Sequence, residues 1–197
     1  MKYLMILIFL LLSGCTSAPL DIQTPGAYLN ISELNPDKWT AMTRQNLEHF
    51  LQVYDLSPLL FTNKVNIQSR ALNHAHPILT LNTNFAEHPQ KLLASFIHEQ
   101  FHWWAGKNQI QFRQVLKELR KIYPKKPENE TYIHLAICYL EYEGLIFYLG
   151  KSSANKILNE FIAKDKLRPW IYSVVQKDYS NLKVIMKRNG LLPTPLT

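Results

Sequence analysis

A mostly helical α+β fold with a small β-sheet in the N-terminal half is predicted by three observations. Apolar residues recur at helical spacing through nearly all of the chain after Pro89. Two short runs, near Lys64 to Ser69 and Pro77 to Thr83, are instead too brief for helices and read as strands. An Asn35-Pro36 pair opens a further amphipathic stretch ahead of them. With 47% hydrophobic residues in 197, the chain is long enough to bury one core of domain size.

Taken in order, the first helix should run from Asn35-Pro36 to about Tyr54, with Trp39, Met42, Leu47, Phe50, Leu51 and Tyr54 in its apolar stripe. In the second β-like run, Ile78-Leu79-Thr80-Leu81-Asn82-Thr83 alternates by side, and Pro77 at its start suits an edge strand. Pro89 fits the first turn of a helix that reaches about Ala105 and stops at Gly106. Gln109 to Tyr123 forms the next helix and ends before Pro124, and Lys125-Lys126-Pro127 reads as a surface connector. Helices near Glu130–Leu149, Ser153–Lys164 and Pro169–Arg188 complete the chain. No internal repeat interrupts residues 35–197, which read as one domain preceded by a tether over residues 15–34.

The segment with chemistry in it is His98-Glu99-Gln100-Phe101-His102, an H-e-x-x-H pattern. Two histidines four apart on a helix project from one face, so both imidazoles can reach a single zinc ion. Glu99 is placed to take a proton from a zinc-activated water. Between Leu92 and Trp104 these three are the only ionisable side chains, and burying them unpaired would be costly. A solvated helix face would not be this apolar.

The order of helix, small sheet, motif helix and helical C-terminal half resembles the zincin metallopeptidases. The resemblance is specific at His98, Glu99 and His102 and loose over roughly residues 60–150. It implies a zinc peptidase in which an extended peptide adds to an edge strand over the cleft, here Ile78, Leu79, Thr80 and Leu81. The metzincin form, with a third histidine six residues on, fails because position 108 is Asn. A gluzincin-like form would take a glutamate from a later helix. On Tyr132 to Gly144, Glu141 lies seven positions and about −20° from His134, on one face with Cys138, whereas Glu143 lies about 180° away. Glu141 is the expected third metal ligand, with His134, Glu143, His74 and His76 as alternatives. His134 would then donate to the oxyanion, or else be a core histidine bonded to a backbone carbonyl. Position 145 is Leu where gluzincins often carry Asp, which leaves the partners of the histidines unassigned.

A basic start, an apolar run from Leu4 to Leu12 and small residues after it read as a secretory signal over residues 1–14. Leu12-Ser13-Gly14-Cys15 resembles the lipobox of bacterial lipoproteins, which implies lipidation at Cys15 and attachment to the membrane. Thr16 after the cysteine favours the outer membrane, facing the periplasm. Cys138 would be the only thiol left, so the mature domain would fold without an internal disulfide. The net charge of +7 is spread along the chain, and an exported protein has no nucleic-acid partner to meet. The expected function is therefore a zinc-dependent hydrolase of the cell envelope acting on peptide or protein. The alternatives are a non-catalytic metal-binding lipoprotein and a zinc amidase acting on peptidoglycan.

Overall fold

The computed structural model describes residues 28–124, 129–164 and 169–197. The expected signal peptide, the lipidation site Cys15 and the connector Lys125-Lys126-Pro127 lie outside the described residues. The fold is mostly helical, with a three-stranded parallel sheet in the order β1 (Asn30–Leu34), β2 (Lys64–Gln68), β3 (Leu79–Leu81). Six helices are described: α1 (Lys38–Val53), α2 (Pro89–Lys107), α3 (Gln109–Ile122), α4 (Asn129–Lys164), α5 (Pro169–Lys177) and α6 (Tyr179–Arg188).

Strand β1 is a correction to the sequence reading, which assigned residues 15–34 to a tether. Asn30–Leu34 pairs along its whole length with β2, so the domain includes it. Its Asn-Ile-Ser-Glu-Leu sequence carries only two apolar residues, a pattern too short to register as a strand. Helix α1 also starts later than Asn35-Pro36. The Asp37 carboxylate accepts from the backbone N–H of Trp39 and of Thr40, both at 2.8 Å, and the Thr40 hydroxyl accepts from Asp37 N–H in return. Gly150, with φ 77° and ψ 159°, breaks α4 between the two helices expected there. The helix expected over Pro169–Arg188 is divided at Asp178 into α5 and α6.

The proposed substrate edge at Ile78, Leu79, Thr80 and Leu81 is a second correction. The outer side of β3 is taken by the chain itself. His74 and Thr80 exchange both backbone hydrogen bonds, at 3.1 and 2.8 Å, and Asn82 N–H donates to the Asn73 side chain at 2.7 Å. Leu79, Thr80 and Leu81 are all buried. Main-chain groups already paired in this way offer no template to an extended peptide.

Helix α2 is buried over most of residues 92–101 and is accordingly central, packed between the sheet side and α4. Its crossing with α4 is close at Gly144. A Cβ there would lie 2.9 Å from Ile97 Cγ2, 3.3 Å from Leu59 Cδ1 and 3.4 Å from Phe101 Cε2. Alanine in a helix interior is ordinarily better than glycine by roughly 0.5–1 kcal/mol. Here that gain meets an overpacking cost of about 1–3 kcal/mol, since Ile97 is itself buried. Gly144→Ala should therefore lower the urea midpoint with little change in m-value. A variant as stable as the parent would show that the two helices do not need this contact.

Candidate metal centre and adjoining cavity

Helix α2 brings His98, Glu99 and His102 to the α4 crossing, and α4 supplies His134 and Glu141. His98 and Glu99 are buried, at 5% and 6% exposure, while His102 and His134 are half-buried. The Nε2 atoms of His98 and His102 are 3.3 Å apart. The His134 ring lies 5.8 Å from that of His98 and 5.6 Å from that of His102, and one nitrogen from each of the three falls within 4.8 Å of the others. Two nitrogens bound to one tetrahedral zinc at about 2.0–2.1 Å stand about 3.3 Å apart. The α2 pair already has that spacing, and the three-histidine group could hold a metal ion.

The far side of two of these rings is tied down. His98 Nδ1 is 2.8 Å from Glu141 Oε2, and His134 Nδ1 is 3.0 Å from the Glu130 carbonyl oxygen. A carboxylate and a carbonyl accept, so in the neutral ring each Nδ1 is the donor, and each Nε2 is then the nitrogen left to meet a metal. Metal-ligating histidines need that tautomer, fixed by that kind of partner.

The positions of the predicted residues follow from this arrangement. Glu141 is on the expected face of α4 and touches His98, but at Nδ1 rather than on the Nε2 side where His102 stands. His98, Cys138 and Glu141 also offer ligand atoms within 4.8 Å of one another. Their 2.8 Å His98–Glu141 separation is that of a hydrogen bond, below the spacing of two ligands on one tetrahedral ion. His134, expected at the oxyanion, sits among the imidazoles, and it also makes the backbone-carbonyl bond weighed for it. Glu143 points away, as the helical wheel required. It accepts from Tyr139 and, at 2.9 Å, from Tyr179, and lies 3.4 Å from Lys183 Nζ. Burial, then the Glu143 carboxylate, pushes the Tyr139 hydroxyl well above the usual tyrosine range.

His74 and His76 lie across from the three imidazoles without joining them. His74 Nδ1 meets the Leu72 carbonyl at 3.0 Å, and the His76 ring packs tilted against Trp103 with centroids 4.4 Å apart. Trp103 and Trp104 anchor α2, donating to the Ala75 and Leu191 carbonyls at 2.7 and 2.8 Å.

Sequence reasoning missed Gln100 and Asn73. Gln100 is buried, and its amide accepts from Phe61 and Thr62 N–H and donates to the Thr62 carbonyl, holding the loop before β2 against the motif helix. Its signal was available: it is the one uncharged amide inside an otherwise apolar and ionisable helix segment. Asn73 gives none, being one polar residue in a polar loop. Its Oδ1 accepts from Asn82 N–H, which among the described residues leaves its NH2 as the hydrogen-bonding end still to be used.

Two cavities meet at this centre. The smaller, about 240 Å³, is lined by His74 and His76 on one side and by His102 and His134 on the other. The larger, about 540 Å³, extends past Ser95 to Lys91, Glu160 and Lys164. Asn73, His98 and Glu99 line both. Lys91 pairs with Glu160 at 2.6 Å, and this bond, with Lys164 and Lys156 nearby, holds the Glu160 carboxyl below the usual carboxylate range.

The class defined by fold and site is thus a helical α+β protein with a three-histidine group able to hold a metal ion. Comparisons of the chain with protein-family models, with curated proteins and with solved structures find no match. What the site can do follows from its own geometry.

Proposed function

We propose that this protein is a zinc-dependent amide hydrolase, with peptides as its substrates. His98, His102 and His134 would hold the ion, Glu99 would be the general base, and Glu141 would position His98. The observation that carries this reading is the convergence of three imidazole nitrogens beside a buried carboxylate that opens on both cavities. A metal needed only to hold helices together would not require that carboxylate or the space beside it.

His98, His102 and His134 would hold zinc through their imidazoles, a ligand type that suits this metal. Zinc, when bound, lowers the pKa of water to about 7 and polarises a carbonyl. The chain's residues do the rest. Glu99 accepts one proton as water oxygen bonds to the amide carbon. It returns that proton to the amide nitrogen as the C–N bond breaks, giving a carboxylic acid and an amine. Asn73 lines the cavity beside the imidazoles, and its NH2 would donate to the carbonyl oxygen as charge develops on it. Glu141 keeps the His98 ring from turning.

Elemental analysis of protein made in zinc-replete medium without a metal-affinity tag should find about one equivalent of zinc. Chelation should remove zinc and peptide hydrolysis together, and added zinc should restore both. Protein carrying less than about a tenth of an equivalent under these conditions would remove the basis of the proposal.

A further inference from the structure

The larger cavity has a direction. Lys91, Ser95, His98 and His102 fall within about 60° of one another on α2, so they form one stripe along it. Eight residues separate Lys91 from Glu99, which places the lysine roughly 12 Å up the helix from the general base. Beside the polar Asn73, Asn82 and Ser95, the cavity has apolar wall from Leu72, Phe85, Phe161 and Tyr172, with the Phe85 ring 6.2 Å from Phe161 and the Phe161 ring 5.2 Å from Tyr172. The far end is charged. Lys91 is spent on Glu160, and Lys164, which is exposed, makes no ion pair among the described residues. Among the described residues, one positive charge is therefore in surplus there.

We infer that the substrate carries, on one side of the scissile amide, an extended apolar group ending in an anion, which lies along α2 with its charge at Lys164. This rests on the metal-centre reading above and specifies its substrate class. The apolar walls would take the chain, since burying each methylene is worth a several-fold gain in affinity. A carboxylate is the anion of matching size and charge for a lone ammonium.

Three hydroxamates separate the parts of the inference: acetohydroxamate, octanohydroxamate and suberic acid monohydroxamate. Each is titrated calorimetrically into metal-stripped and zinc-loaded protein. Acetohydroxamate reports the metal centre alone. Octanohydroxamate should bind the zinc form at least about thirtyfold more tightly than acetohydroxamate, through its buried methylenes. Suberic monohydroxamate should bind more tightly still at low salt, and Lys164→Glu should weaken it about tenfold while leaving octanohydroxamate unchanged. Zinc-dependent binding of all three with equal affinity would overturn the inference and leave the metal centre standing. Indifference of suberic monohydroxamate to Lys164→Glu would overturn the anionic end. Absence of any zinc-dependent binding would sink the metal-centre reading, and the substrate class with it.

Discussion

Glu99→Gln should lower the rate of amide hydrolysis by about 10²–10⁴-fold while leaving zinc content and fold unchanged. Glutamine has the volume of glutamate, so the buried site on α2 loses no packing, and a neutral amide is easier to bury than a carboxylate. What it cannot do is accept the proton of the attacking water. The check is a pair of measurements on one preparation: turnover of a peptide substrate, and zinc per chain. Near-parental turnover at full zinc occupancy would take Glu99 out of the mechanism and leave the site as a metal-binding device.

The second large effect separates His134 from Glu141. His134→Ala removes a proposed ligand and should weaken zinc binding far beyond the roughly 10–100-fold that loss of an outer hydrogen-bond partner costs. Glu141→Gln keeps an acceptor for His98 Nδ1 and avoids leaving a hole at a buried position, so its cost should fall at or below that range. Competition against a chromophoric chelator gives both affinities. His134 is half-buried, so its truncation should leave the circular dichroism spectrum intact. Were Glu141→Gln to lose zinc more completely than His134→Ala, the carboxylate would be the ligand and His134 the outer residue.

Much of the α-helical half was legible because the cues are local. Pro89 at the start of α2 and the apolar periodicity of α3 need no tertiary information, and α3 runs Gln109–Ile122, within one residue of its expected end. Strand β1 was hidden because its stability comes from pairing with β2, more than thirty residues away, rather than from its own composition. The occupied edge of β3 was hidden for a similar reason. A loop that folds back to exchange hydrogen bonds through His74 leaves no periodic trace.

By itself the sequence determined that His98 and His102 share a helix face, that Glu99 stands between them, and that His134 and Glu141 share a face of a second helix. Each is a matter of angle about one axis, set by 3.6 residues per turn. Which of the last two joins the imidazole pair was decided only by the height at which α4 passes α2. Seven positions put His134 and Glu141 about 10 Å apart along the axis, Glu141 at Nδ1 of His98 and His134 with the two imidazoles of α2. That height is held by the close contact of Gly144 with Ile97 and Phe101, a packing distance between two elements that no spacing along either one contains.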